Sequence, residues 1–74
     1  MTQTVTAAYG GADKAINAYD ELVSEGYPRE KLYLDKETHE VKVIVPDTSK
    51  PEIEEILGRH EPDEIRSRPY EEAP

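Results

Sequence analysis

The sequence predicts an α+β sandwich with the chain order β-α-β-β-α-β, and two observations carry the prediction. Apolar and polar residues alternate in four short segments, which favours strands. Two further segments repeat apolar residues every three or four positions, which favours helices. Gly or Pro stands at most of the boundaries between these segments. The prediction assigns a single domain to residues 1–68 and a disordered tail to residues 69–74.

The first third of the chain predicts a strand followed by a helix. Residues 3–9 alternate and are rich in threonine, which suits a pleated strand, and a Gly-Gly pair follows them. The residues that fall at i, i+3, i+4, i+7, i+10 and i+11, and so share one helical face, are Ala12, Ala15, Ile16, Tyr19, Leu22 and Val23. Gly26 suits a left-handed residue that closes the helix, and Pro28 prevents its continuation.

The middle of the chain predicts a β-hairpin. Residues 31–35 and 41–45 alternate, and the polar segment between them forms the connecting turn. His39 occupies a turn position where the backbone usually takes a positive φ. We therefore expect His39 to be a turn residue at the surface.

The last third predicts a short helix and an edge strand. The spacing Ser49-Lys-Pro-Glu52 matches a capping box with proline in the first turn, and apolar residues follow at helical spacing. This helix is expected to end between residues 58 and 61. Residues 63–68 are predicted as a charged fourth strand, which suits the edge of a sheet.

This order of elements is that of the ferredoxin-like fold, in which two right-handed β-α-β crossovers flank a hairpin. We expect a four-stranded antiparallel sheet with the first and third strands in the centre and the second and fourth at the edges. Both helices are expected on one face. The sheet residues expected beneath them alternate along the strands and are Val5, Ala7, Tyr9, Leu32, Leu34, Val41, Val43, Val45 and Ile65.

The other face of the predicted sheet has no helix over it and mixes small, aliphatic, aromatic and cationic side chains. The residues expected there are Thr4, Thr6, Ala8, Tyr33, Lys42, Ile44, Arg66 and Arg68. An antiparallel sheet can leave such a face in water or pair it with another chain. Tyr33 suits an interface because tyrosine buries apolar area and keeps a polar tip. We therefore predict a homodimer or a protein partner at this face.

Residues 12–57 resemble a known bacterial family. An alanine-rich acidic helix leads into Gly26-Tyr-Pro28 and then into the aliphatic strand Lys31-Leu-Tyr-Leu34. The strand ending at Pro46 and the segment Pro51-Glu-Ile-Glu-Glu-Ile-Leu57 also fit. This arrangement resembles the YflT-type heat-induced or general stress protein domain. The resemblance implies the same small fold and a stress-related role, and it implies no catalytic residues.

The composition excludes several classes of function. The 74 residues carry 9 basic and 17 acidic side chains, a net charge of -8, whereas nucleic-acid binding rests on basic side chains that neutralise phosphates. No apolar stretch approaches the roughly 20 residues that span a bilayer, and no basic and apolar leader opens the sequence. We expect a cytoplasmic protein without nucleic-acid or membrane partners. With 0 cysteines and a thin core, oligomerisation is the most available extra source of stability.

Few residues have the chemistry of a site. His60 ends the apolar face of the second helix near Glu61 and Glu64, but this set at a helix end favours a structural role over a metal site. The turn at Gly10 and Gly11 precedes a helix whose amides can hold an anion, although an acidic residue follows it. That turn is the expected place for any small ligand. We predict no catalytic residue, metal or cofactor.

The sequence therefore favours a small acidic interaction or structural module that is not an enzyme. Two alternatives stay open. One is a ligand-sensing regulatory domain of the amino-acid-binding type, with its small-molecule site near Gly10 and Gly11, which amino acids would stabilise. The other is a small homodimeric ferredoxin-like enzyme, which needs a buried polar residue facing a cleft between the sheet and the helices.

Overall fold

The computed structural model describes residues 2–69, which form four strands and two α-helices. They are β1 (Thr2–Ala8), α1 (Ala12–Ser24), β2 (Leu32–Asp35), β3 (Glu40–Pro46), α2 (Lys50–Gly58) and β4 (Glu64–Pro69). Short 3-10 turns precede β2 and α2. The predicted α+β class, with a four-stranded antiparallel sheet and two helices, is confirmed. Pro69 belongs to β4, and the rest of the predicted tail, 70–74, lies outside the described residues.

The strands lie in the order β2-β3-β1-β4, so the two longest strands form the centre of the sheet. Every neighbouring pair is antiparallel. β1 pairs over its whole length with β3, from Thr2 opposite Pro46 to Ala8 opposite Glu40. β4 pairs with the other side of β1. This register fixes which side chains meet across the sheet.

One face of the sheet and one side of each helix enclose the core. Its buried apolar side chains are Val5, Ala7, Tyr9, Ala15, Ala18, Leu22, Leu32, Val41, Val43, Val45, Ile53, Ile56 and Leu57. Because both helices contribute to this one cluster, both pack on the same face of the sheet. Leu34 and Ile65, which were expected beneath the helices, lie at the margin of the core and are partly buried. In α1, Ala18 is buried and Ile16 only partly so, because the contact with the sheet is centred on the alanines.

Backbone geometry, and not side-chain caps, closes the ends of the helices. Gly26 has a φ of 98°, which is the left-handed conformation predicted for it, and its amide donates to the Val23 carbonyl. The predicted capping box of α2 is wrong, because Ser49 makes no side-chain hydrogen bond to the helix. Its φ of -94° and ψ of -9° belong to the preceding 3-10 turn. An N-cap hydroxyl bonds the first helix amides when its own residue has an extended backbone. Ser49 is part of the 3-10 turn, so its backbone is not extended.

Asp35 and His39 organise the hairpin turn. Backbone hydrogen bonds from Thr38 and Glu37 to the Asp35 carboxylate, at 3.2 and 3.0 Å, lower the pKa of that carboxyl. His39 has a φ of 59°, so the predicted positive φ is confirmed. Its carbonyl accepts the Tyr9 amide at 2.9 Å, which joins the end of β1 to the turn.

Candidate functional site

The side of the sheet away from the helices carries the residues expected at an interface, and we call it the open face. Its residues are Thr4, Thr6, Ala8, Tyr33, Lys42, Ile44, Arg66 and Arg68, to which the register adds Asp35, Glu40 and Glu64. The alternation that buries Val5 and Val43 turns these side chains to the opposite side. Within residues 2–69 both helices pack on the core side, so neither covers the open face.

Four residues form a row across the open face, one from each strand. Tyr33 lies opposite Lys42, Lys42 opposite Thr6, and Thr6 opposite Arg66. Neighbours in such a row have Cβ atoms about 5 Å apart. Thr6 is only 8% exposed although it faces away from the core, because the long side chains of Lys42 and Arg66 flank it. The centre of the open face is therefore lined by cations around a covered hydroxyl.

A depression of about 260 Å³ lies beside this row, and we call it the basic depression. It is lined by Thr4, Thr6, Lys42, Arg66 and Arg68. Three of the 9 basic residues of the chain thus share one small patch, in a protein whose net charge is -8. Cationic groups and hydroxyls in this arrangement donate hydrogen bonds to negatively charged oxygen atoms.

The three cations differ in how they are compensated. Arg66 Nη2 donates to Glu40 Oε2 at 2.9 Å, and Arg66 Nη1 donates to Glu64 Oε2 at 3.1 Å. Neither Lys42 nor Arg68 has an ion pair within the described part of the chain. Alternation back from Lys42 and Arg66 puts both glutamates on the open face, although neither is among the residues predicted there.

The apolar residues of the open face come from three strands: Tyr33 from β2, Ile44 from β3 and Ala8 from β1. Tyr33 is 51% exposed, and it is the large apolar side chain that residues 2–69 leave in solvent. Ile44 and Ala8 are partly buried. A groove of about 580 Å³ runs from Tyr33 toward the hairpin turn and shares Lys42 with the basic depression. Its lining residues are Tyr33, Leu34, Asp35, Lys36, Glu37 and Lys42.

A second polar group joins α1 to the end of α2. Glu21 Oε1 lies 2.6 Å from His60 Nε2, and Arg59 Nη1 donates to Glu21 Oε2 at 2.8 Å. The hydrogen bond with His60, with a smaller effect of Arg59, outweighs desolvation and lowers the pKa of Glu21. The stabilising contribution of Glu21 is therefore present above the ordinary glutamate pKa and is lost as the pH falls through the lowered value. His60 pairs with Glu21 across the fold, a contact that periodicity along the chain does not reveal.

The Tyr9 hydroxyl is a buried polar group on the boundary between the sheet and α2. It donates to the Leu57 carbonyl at 2.8 Å. Burial, with an added effect of the charge on Glu21, raises the pKa of Tyr9 to about 12. A buried hydroxyl whose bond is satisfied by a backbone carbonyl fastens two elements together. We interpret Tyr9 as a structural link between β1 and α2.

Acidic side chains border the turn at Gly10 and Gly11. A Cβ built on Gly10 would lie 3.6 Å from Asp63 Oδ2, and one on Gly11 would lie 3.9 Å from Asp13 Oδ1. The Asp63 amide donates to the Ala8 carbonyl at 2.8 Å, which keeps Asp63 beside the turn. Two carboxylates at this place repel an anionic ligand.

Within residues 2–69, no three His, Asp or Glu side chains are grouped so that they could hold a metal ion. None of the helices in the same range has the length and apolar character needed to cross a membrane. No protein-family model, curated protein or solved structure matches this chain.

Proposed function

We propose that this chain is a small non-enzymatic interaction module of the ferredoxin-like class that self-associates through its open face. The observation that carries the proposal is the exposure of Tyr33 on a sheet face that neither helix of residues 2–69 covers. Such a face offers apolar area and an aromatic side chain to a second copy without refolding of either chain.

The strand order supports the ferredoxin-like assignment. α1 connects β1 to β2 with β3 lying between them, and α2 connects β3 to β4 with β1 lying between them. Because every neighbouring pair is antiparallel, each pair of strands joined by a helix runs parallel. Parallel strands need a crossover connection of this kind.

The thin core favours a second copy as the occupant of the open face. Within residues 2–69 thirteen buried apolar residues form the core, and with no cysteine the chain has no disulfide to assist them. Each 100 Å² of apolar surface removed from water contributes about 2.5 kcal/mol before the entropy of association is subtracted. A contact that buries a few hundred Å² of the open face therefore gives a weak dimer.

Charge repulsion between copies opposes this dimer and makes its stability depend on salt. Lys42 and Arg66 lie on the open face, and each copy carries a net charge of -8. Salt screens the repulsion between copies within a Debye length of about 10 Å at 0.1 M. Association is therefore expected to strengthen as the salt concentration rises.

Sedimentation velocity from micromolar to millimolar protein tests the proposal. The wild type is expected to move from monomer toward dimer over this range, and the Tyr33→Lys, Ile44→Lys double variant to stay monomeric. An Asn17→Lys, Ser24→Lys variant is the matched control, because it adds the same charge at exposed positions of α1. A wild type that stays monomeric at millimolar concentration would remove the homodimer, and a dimer untouched by the double variant would move the interface elsewhere.

The resemblance of residues 12–57 to YflT-type domains adds a stress-related setting to the proposal. The protein level is then expected to rise when the cells that produce it are heated. An unchanged level, measured with an antibody against the chain, would remove the stress-related part and leave self-association unaffected.

A further inference from the structure

The basic depression combines charge and hydroxyl groups in a way that self-association does not explain. Thr4 lies directly opposite Arg68 on one side of β1, and Thr6 lies directly opposite Lys42 on the other side. Strand spacing and rise put the Lys42 and Arg68 backbones about 12 Å apart across β1. Their long side chains can therefore reach one group that sits above the two threonines.

The side chains that line the basic depression set the charge of its ligand. The charge of Arg66 is offset by Glu40 and Glu64, which hold it in place at 2.9 and 3.1 Å. Among residues 2–69 neither Lys42 nor Arg68 has an ion pair, although Lys42 lies near enough to Asp35 for its charge to lower the pKa of that carboxyl. Among residues 2–69 three cationic side chains line the depression, those of Lys42, Arg66 and Arg68, and no carboxylate lines it, so the lining favours an anion.

The size of the basic depression limits the ligand to one compact group. Its volume of about 260 Å³ lies below the range of roughly 300–1,000 Å³ that is usual for pockets that enclose drug-sized molecules. A phosphoryl group is compact, carries close to two negative charges at neutral pH and has three strong acceptor oxygens. Arginine, lysine and threonine hydroxyls are all donors to such oxygens.

We infer that the basic depression is a binding site for the phosphoryl dianion of a small phosphorylated compound, held by Lys42, Arg68 and the hydroxyls of Thr4 and Thr6. Arg66 borders the group as a fixed cation, since Glu40 and Glu64 already hold its guanidinium. The remainder of the ligand lies outside the depression, along the open face. The site belongs to a single chain and does not depend on self-association.

Titration of ¹⁵N-labelled protein with inorganic phosphate, at constant ionic strength and micromolar protein, tests this inference. The amide signals of Thr4, Thr6, Lys42 and Arg68 are expected to shift together and to saturate. Glycerol phosphate, a monoester, is expected to bind at the same signals, whereas acetate, a monoanion, is expected to bind at least about tenfold more weakly. Saturation by phosphate and not by glycerol phosphate would limit the site to the free ion and overturn the assignment to a phosphorylated compound.

Matched variants distinguish binding in the basic depression from nonspecific attraction of phosphate to any positive charge. Lys42→Gln and Arg68→Gln are each expected to weaken phosphate binding about fivefold, as befits exposed charges. Lys14→Gln and Arg29→Gln remove the same charges from exposed positions outside the basic depression and are expected to leave binding unchanged.

Two outcomes would overturn the inference. One is a set of shifts that does not saturate or that maps away from the basic depression. The other is an equal loss of affinity in Arg29→Gln and Arg68→Gln. Sedimentation of the same samples reports the dimer independently, so a failure of this site and a failure of self-association are distinguishable.

Discussion

Replacing Tyr9 by phenylalanine removes one buried hydroxyl and leaves the rest of the core in place. The ring is 3% exposed, and its hydroxyl donates to the Leu57 carbonyl at 2.8 Å. That carbonyl also accepts the His60 amide at 3.3 Å, so it keeps one partner after the substitution. The expected loss is therefore that of one ordinary hydrogen bond, about 1 kcal/mol of unfolding free energy. For a domain of this size such a loss lowers the Tm by about 4–8 °C.

The pH dependence of this loss identifies its cause. Because the pKa of Tyr9 is raised from 10.0 to about 12, folding favours the protonated hydroxyl. The stabilisation is complete below pH 10 and is lost as the pH rises from 10 toward 12. At about pH 11 the ionisation of Tyr9 is expected to make the wild type about 1.4 kcal/mol less stable than at neutral pH, and the phenylalanine variant, which has no hydroxyl, has no such loss. The advantage of the wild type at neutral pH is thus expected to disappear near pH 11.

Urea unfolding followed by circular dichroism, between neutral pH and about pH 11, measures both effects. Tyr33→Phe is the matched control, because it makes the same chemical change on a ring that is 51% exposed. It is expected to change the unfolding free energy by less than about 0.5 kcal/mol at every pH. A Tyr9→Phe protein as stable as the wild type at neutral pH, or a constant difference up to pH 11, would refute the role given to the Tyr9 hydroxyl.

Two further pairs of substitutions test the core and the helix ends by the same urea titration. Val43→Asp is expected to unfold the domain, because an unpaired carboxylate at this fully buried site costs several kcal/mol. Glu54→Ala on α2 is expected to lower the unfolding free energy by less than about 0.5 kcal/mol. A folded Val43→Asp protein would contradict the assignment of sheet faces. Gly26→Ala is expected to cost about 1 kcal/mol, since its φ of 98° disfavours any side chain. Gly58→Ala is expected to raise the unfolding free energy by up to about 1 kcal/mol, because Gly58 is helical and has open space around it. Equal effects of the two glycine substitutions would contradict this reasoning.

The sequence alone determined which side of each strand is apolar. Successive side chains of a strand point to opposite faces, so Val41 and Val43 had to share the apolar side of β3 and Val5 had to lie on the apolar side of β1, and all three are fully buried. The same rule put Thr6 and Lys42 on the other side. Gly26 was also predictable, because few residues other than glycine accept a positive φ at the end of a helix.

The open face was predictable in its members but not in its interactions. Alternation assigned Lys42, Arg66 and Tyr33 to it before any register was known. That Arg66 is held by Glu40, and that Lys42 lacks such a partner among residues 2–69, follows from which strands are neighbours and how they are aligned. Alternation along one strand reveals neither the order of the strands nor their alignment.

The tertiary structure decided the contacts between elements. Glu21 meets His60, 39 residues away, only because α1 and the end of α2 pack side by side. The Tyr9 hydroxyl finds the Leu57 carbonyl because β1 runs beneath α2. The burial of Ala18 depends on how α1 is rotated on the sheet. Periodicity is a local property of the chain, whereas the rotation, distance and register of packed elements are set by how all of their side chains fit together.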